Sequence, residues 1–365
     1  MLGGNGGGHV TYIMSLLQGL EAHELVVAAP EHGRLYRLAS ALPGQRTEPR
    51  RYTSRLFQLI PEVYQLRRFI QQEQFDLIHV NGSADHRHVM LACLGMRRRP
   101  AIVWKKHNTR PVNSFGNCLR AHLATDAVIA GCKYVARVLQ QSPYRHVPTT
   151  VVRQVIDTSH YHPLTLEEKQ RWRQHWFGEL SSDSLVFASV GGTDYDKGWL
   201  LLVEAAARLP LVQRQRIRIL VAGDPPKSNL KQRVDELNMT EYVVFPGLVN
   251  DVREVLGAAD IGFVLSTHEA GSYACLEAMA MGLPALVTAV GGLPENVNDG
   301  IDGWIVPSGE VKPIENLLNR LLADSSSLVA MGVAARQWAC GQFEIPRFVA
   351  QTEAVYEKAL AKRKR

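Results

Sequence analysis

Short β-rich runs alternate with longer stretches of helical period along most of this chain, and the alternation starts afresh midway. This restricts the fold to α/β architectures with parallel sheets and crossover helices. The expected strands of the first half are His23–Pro30, Asp76–Gly82, Ala101–His107, Asp126–Gly131 and Thr149–Ile156. Those of the second half are Ser184–Gly192, Arg216–Asp224, Tyr242–Gly247, Ile261–Ser266 and Ala285–Ala289. Arg55–Gln74 and Cys132–Gln141 are among the expected helices. Two Rossmann-like halves result. Thr158–Asp183, polar, Trp-rich and aperiodic, is the expected joint. The domains are therefore expected at residues 1–163 and 164–342, with 343–365 a C-terminal helix and basic tail. The apolar face of that helix (Phe348, Val349, Val355, Tyr356, Leu360) is expected either to close the second domain or to cross back to the first.

Charge separates the halves. The chain has 365 residues, with 41 Lys and Arg against 35 Asp and Glu. Divided at Pro163, it gives 20 basic and 10 acidic side chains, then 21 basic and 25 acidic, a net of +10 followed by −4. Partners of different character are expected for each half. With 46% hydrophobic and 21% charged residues, the composition excludes disorder and fibrous classes. Cys93, Cys118, Cys132, Cys275 and Cys340 show no C-x-x-C spacing and read as reduced residues of a cytoplasmic protein. No apolar run is long enough to span a bilayer, and MLGGNGGGHV has neither the basic nor the apolar region of a leader, so neither export nor membrane insertion is expected.

Gly3-Gly4-Asn5-Gly6-Gly7-Gly8 precedes the helical segment His9–Leu20 and reads either as a loop at a phosphate site or as a flexible terminus. Such a loop ordinarily follows the central first strand of a parallel sheet. Only Met1 and Leu2 precede it here. A sheet without that strand leaves backbone groups unpaired, so the natural start is expected upstream of this Met1.

The densest local signal runs from Thr267 to Pro284. It follows an apolar strand, and its periodic part from Ser272 reads as a helix stopped by Gly282 and Pro284. Amides near Gly271, Ser272 and Tyr273 are then the unpaired donors of a helix N-terminus, placed at the carboxyl end of a parallel strand, where phosphates bind. Glu269 stands before that helix and Glu277 inside it. Acceptors on both sides of an anion site suit a nucleotide sugar, with hydroxyls at each end and a diphosphate between. Taken singly, the two residues read equally as a helix-dipole acid and a solvated face.

With these residues in place, the sequence resembles the retaining glycosyltransferases of family 4, whose fold is GT-B: two Rossmann-like domains facing across a cleft. Their signature is two Glu separated by seven residues, then Ala-Met-Ala-x-Gly-x-Pro, and Glu269 to Pro284 fits it. The register continues through Gly247, Asn250-Asp251-Val252, Ala259-Asp260, Gly291-Gly292-Leu293-Pro294-Glu295 and Asp302-Gly303-Trp304-Ile305-Val306-Pro307. The resemblance implies Glu269 on the transferred sugar, Glu277 on the ribose, and Lys197 with the Gly271, Ser272 and Tyr273 amides on the departing diphosphate. Gly192, Thr193, Gly247 and Val249 are expected to line the donor site. Gly192 stands where the family commonly has Arg, so a replacement cation such as Arg153 or Lys227 is expected. In the first half, the loop Gly6, Gly7 and Gly8 with His9 resembles the family's N-terminal loop, and His107 aligns with a family His that approaches the sugar. The hinge keeps the skeleton Val-Asp-x-x-x-Phe-x-Pro as Ile156-Asp157 to Tyr161-His162-Pro163.

The implied activity is retaining transfer of a glycosyl unit from a nucleoside-diphosphate sugar to an acceptor hydroxyl. A UDP-sugar is favoured, GDP- and ADP-sugars being alternatives. No metal is required, because a helix end and cations hold the diphosphate, and no other cofactor is implied. The histidines of Asp85-His86-Arg87-His88 and His160-Tyr161-His162 lack zinc-type partners and read as structural. Basic residues in Arg46–Arg55, Arg67-Arg68, Arg97-Arg98-Arg99 and Lys105-Lys106 read either as a surface for an acceptor carrying anionic groups or as a solvated basic face with no lipid role. The expected acceptors are lipopolysaccharide core or lipid-linked glycans at the inner face of the cytoplasmic membrane. No nucleic-acid module is recognisable. The rival readings are a nucleotide-sugar epimerase and a degenerate sugar-binding module.

Overall fold

The computed structural model describes residues 8–364. The chain forms two compact units: one comprises the chain up to Val155 together with the segment from Ile345, and the other is Ile156–Glu344. The division falls eight positions before Pro163.

Unit 1 begins with α1 (Gly8–Gly19), β1 (Val26–Ala29), α2 (Arg34–Ser40), β2 (Arg46–Pro49) and α3 (Leu56–Glu73). It continues with β3 (Leu77–Val80), α4 (Ser83–Cys93), β4 (Ala101–Lys106), α5 (Phe115–Leu123), β5 (Ala127–Ala130), α6 (Lys133–Gln140) and β6 (Thr149–Val151). Strands β3-β4-β5-β6 form a parallel sheet in that order, while β1 and β2 pair separately. Among the described residues no strand precedes α1. All six residues of β4 are buried, Lys105 and Lys106 included, as in a parallel strand covered on both faces.

Unit 2 runs through α7 (Leu166–Phe177), β7 (Leu185–Ser189), α8 (Trp199–Ala207), α9 (Leu211–Arg214), β8 (Ile217–Val221), α10 (Ser228–Glu236) and β9 (Val243–Val244). It continues with α11 (Arg253–Leu256), β10 (Ile261–Val264), α12 (Tyr273–Ala280), β11 (Ala285–Thr288), β12 (Gly303–Val306), α13 (Val311–Ala323) and α14 (Leu328–Gln342). Its six strands are all parallel, in the order β12-β11-β10-β7-β8-β9. Phe187, Trp199, Ile219 and Phe263 fill the core on one face.

Two expectations change and one open choice is decided. Thr158–Asp183 is not aperiodic throughout, because α7 occupies its middle. The Thr165 hydroxyl and the Glu168 carboxylate cap each other's backbone amides. Trp172 and Trp176 pack against the Val186–Val255 cluster, and Lys169 and Arg173 pair with Asp260 at 2.8 and 2.5 Å. The periodicity is carried by half-buried aromatics and the stems of long cations, which a hydrophobic count misses. Strands β2 and β12 were not expected: β2, Arg-Thr-Glu-Pro, is a polar edge strand, and β12 is four residues at the far edge of its sheet. The final helix, α15 (Ile345–Lys364), belongs to unit 1, where Phe348, Val349 and Val355 join Tyr12 and Leu16 of α1 in one core cluster. The crossing-back alternative therefore holds over closure of the second domain.

That reassignment sharpens the charge asymmetry. Unit 1 holds 26 Lys and Arg against 11 Asp and Glu, a net of +15. Unit 2 holds 15 against 24, a net of −9.

Candidate active site

The strand order of unit 2 reverses between β7 and β10, and the loops leaving the carboxyl ends of two such strands diverge to leave a crevice. The segment 190–198 follows β7 and the segment 265–272 follows β10. Lys197 and Glu269, far apart in sequence, meet there with Nζ and Oε2 3.6 Å apart. The turn that sets Lys197 depends on Gly198, which adopts φ +68° against the Leu265 carbonyl, where a Cβ would stand 1.9 Å from that oxygen. Thr267 locks the two loops together, its amide donating to the Asp196 carbonyl at 2.9 Å.

Burial raises the Glu269 carboxyl above its usual range, opposed by Lys197 and by the amides of Gly271 and Ala270, which donate to it. Ser272 is the N-cap of α12, its Oγ accepting from the Cys275 amide at 3.3 Å. Helix geometry leaves the amides of Tyr273 and Ala274 without intrahelical partners.

Glu277 sits one turn into α12. Burial pushes its carboxyl up to about 7, and the Tyr161 hydroxyl donates to Oε1 at 3.3 Å. Arg336 holds Tyr161 in place by donating to the carbonyls of Thr158, Tyr161 and Ala280. Gly192 has φ +98° with open space where a Cβ would stand. Thr193 is buried, its hydroxyl donating to the Asp224 carbonyl. The Gly247 carbonyl accepts from the Gly223 amide at 3.0 Å, and Val249 is half-buried against the Val186–Val255 cluster. Lys227 is the exposed N-cap residue of α10, and Arg153 follows β6 in unit 1.

In unit 1, β3 and β4 deliver Asn81 and His107 from adjacent carboxyl ends. His107 Nε2 lies 3.0 Å from Asn81 Oδ1, so the neutral ring donates from Nε2 and keeps Nδ1 as an acceptor. Asp85 fixes the Asn81 turn by accepting from the amides of Asn81 and Gly82 at 2.7 and 2.8 Å. Gly8 opens α1, and the ring of His9 lies 4.1 Å from that of His107. Burial, then the charges of His9 and Lys105, hold His107 well below the usual histidine range. Gly6 and Gly7 lie outside the described residues. His86 and His88 play structural parts, at 2.9 Å from the Ala124 carbonyl and 3.3 Å from Glu62.

Sequence reasoning missed Tyr161, Asn81 and Lys105. Tyr161 left a signal, since it stands where the family skeleton has Phe and adds one hydroxyl. Asn81 left none, because its importance lies in which strand end neighbours β4. Lys105 read as part of a basic surface patch but is 1% exposed, with Nζ donating to the Val152 carbonyl at 2.9 Å and lying 4.8 Å from the Tyr12 ring centroid.

Two Rossmann-like units with parallel sheets, the second carrying a Lys and Glu pair at its switch point, define the GT-B fold. Residues 6–160 match the family model "Glycosyltransferase Family 4" and residues 170–338 match "Glycosyl transferases group 1". Each half of the chain thus matches one glycosyltransferase domain model, the two standing in tandem. Neither family model is of an epimerase, so that rival has no support.

The chain is 28% identical over 188 residues to 2-deoxystreptamine glucosyltransferase of Streptomyces kanamyceticus, covering 51% of this chain and 49% of that one. It is 32% identical over 160 residues to N-acetyl-alpha-D-glucosaminyl L-malate synthase of Bacillus anthracis, covering 44% and 42%. The match thus spans about half the length of these relatives or less. Anabaena HepE in complex with UDP superposes with a TM-score of 0.83 at 20% identity, covering 97% of both chains. The lipopolysaccharide outer core galactosyltransferase WaaB superposes with a TM-score of 0.72 at 14% identity, covering 96% of both.

Proposed function

We propose that this protein is a retaining glycosyltransferase that moves a sugar from a UDP-sugar to a hydroxyl of a cell-envelope glycan, either lipopolysaccharide core or a lipid-linked glycan. The observation that carries the reading is the 3.6 Å approach of Lys197 and Glu269 at the switch point of unit 2, beside the N-terminus of α12. The names of solved neighbours support the donor, one being HepE in complex with UDP-glucose.

In this reading Glu277 accepts from the ribose and Glu269 from the sugar hydroxyls. Lys197 and the amides of Tyr273 and Ala274 face the diphosphate, so the reading assigns no metal ion. The bond from the anomeric carbon to the diphosphate oxygen breaks as the acceptor oxygen bonds to that carbon on the same face. The acceptor proton passes to the departing diphosphate, whose developing charge is met by donors already in place. In unit 1, His107 and His9 are assigned to positioning the acceptor. The net of +15 on that unit suits a phosphorylated or membrane-borne acceptor at the cytoplasmic face of the membrane.

Thermal-shift titration with a panel of nucleotide sugars tests the donor. A ligand at a hundred times its dissociation constant adds about 2.7 kcal/mol of stability. Selective stabilisation by one UDP-sugar, followed by a product with the donor's anomeric configuration, is expected. Stabilisation by no nucleotide sugar defeats the proposal.

A further inference from the structure

Helix α3 (Leu56–Glu73) is apolar on two opposite faces. Its inner face is set by Leu66 and Ile70, which are 6% and 2% exposed. Phe57, Ile60 and Tyr64 are 93%, 67% and 60% exposed. At about 100° per residue these three, with Pro61, Arg68 and Gln71, fall within an arc of roughly 100° centred opposite Leu66. Exposed apolar groups are ordinary when scattered, but a continuous crest at helical spacing is not.

The charges around the crest have one sign. The acids of the helix, Glu62 and Glu73, lie on its inner half, 3.3 Å from His88 and 2.9 Å from Arg46. Arg51 and Arg55 flank the first turn and Arg68 continues the crest; all three are exposed, and their side chains make no hydrogen bond or ion pair among the described residues. Arg67 donates to the carbonyls of Ala92 and Leu94 at 3.0 and 2.6 Å, which holds the loop bearing exposed Leu94, Arg97 and Arg98 beside the helix.

A convex ridge with aromatic and aliphatic tips and a basic rim offers no pocket to a keyed protein partner. A second copy of a unit carrying +15 is repelled. A bilayer surface demands no shape complementarity. It takes a helix lying in its plane, with the apolar tips at the acyl boundary and guanidinium groups on lipid phosphates. We propose that α3 docks the protein on an anionic lipid bilayer, with Phe57, Ile60 and Tyr64 inserted and Arg51, Arg55 and Arg68 on the headgroups. The proposal deepens the reading of a membrane-borne acceptor and rests on it for its purpose, but its test does not depend on transfer.

The full chain is floated with vesicles of phosphatidylcholine and with vesicles of phosphatidylcholine and phosphatidylglycerol in equal parts. Binding to the anionic vesicles alone is expected, weakened by salt. Phe57→Ser/Ile60→Ser/Tyr64→Ser should weaken it more than about tenfold, and Arg51→Gln/Arg55→Gln/Arg68→Gln by roughly fivefold per arginine. Both variants should melt with the wild type. Vesicle binding in a protein that no UDP-sugar stabilises would sink the donor reading and leave this one standing. The proposal is overturned if the serine variant floats as well as the wild type, if the wild type binds neither vesicle, or if it sediments as a dimer that the serine variant dissolves.

Discussion

The Tyr161 hydroxyl donates to Glu277 Oε1 at 3.3 Å, so the acid assigned to the ribose is held by a group that the family skeleton does not supply. Burial raises the Glu277 carboxyl to about 7 and this bond opposes the rise. On the proposed assignment ribose hydroxyls bind the ionised carboxylate, so UDP affinity should climb with pH towards neutrality and then level off. Tyr161→Phe removes the opposing bond and should move the midpoint to higher pH, read by calorimetry across a pH series. An unmoved midpoint, or an unchanged profile in Glu277→Gln, rejects the assignment. The same group affects folding. Its folded pKa lies above the ordinary value of 4.5, so its contribution to stability is present below 4.5 and is lost as pH rises to about 7.

Lys197 and Glu269 lie 3.6 Å apart, and Lys197 is one of the influences that keep the Glu269 carboxyl from rising further. Lys197→Ala should therefore act twice, removing a cation from the diphosphate and favouring protonated Glu269. A loss of about a hundredfold to a thousandfold in kcat is expected for it, and a similar loss for Glu269→Gln. The double variant should lose less than the product of the two, because the groups act on each other. Fully multiplicative losses in a steady-state cycle would show that the residues work independently.

What could be read in the sequence depended on whether a residue's role was local. The segment from Thr267 to Pro284 carried its own turn and helix signals, so the positions of Glu269 before α12, Ser272 at its cap and Glu277 inside it were legible. Lys197 needed the family register, since only the sheet order brings β7 beside β10. The placement of α15 was left open between two alternatives, because an apolar stripe shows that a helix packs and not against what. Asn81 and Lys105 were missed for the same reason: a partner 26 or 47 positions away in the chain leaves no trace in spacing.

Lys105 gives that omission a measurable consequence. Its amine, buried beneath the Tyr12 ring and bonded to the Val152 carbonyl, is pushed down from 10.5 to about 7. The folded state releases this proton before the unfolded state does. Stability attributable to Lys105 is therefore present above 10.5 and is lost as pH falls to about 7. Lys105→Met keeps the length of the stem and removes the titration. The difference in unfolding free energy between variant and wild type should shift in the variant's favour as pH falls through that window, measured by urea unfolding at several pH values. A constant difference would place the Lys105 amine in contact with solvent.

Gly192 is the site's chief departure from the family pattern. Its φ of +98° lies in the region that favours glycine, yet a Cβ there meets nothing within 4 Å. An arginine at this position therefore has room for its side chain but pays in the backbone, by roughly 1–2 kcal/mol for the left-handed conformation. The neighbouring Gly223 fixes that backbone from behind, since a Cβ on it would stand 2.6 Å from the Gly192 Cα. Gly192→Arg should lower the melting temperature while tightening UDP binding, because it adds a cation beside the diphosphate site. Gly192→Ala should carry the same backbone cost without the gain and so isolates it. If Gly192→Arg loses stability as Gly192→Ala does and binds UDP no better than the wild type, the diphosphate does not lie against this turn, and the placement of the donor at the β7 end fails with it.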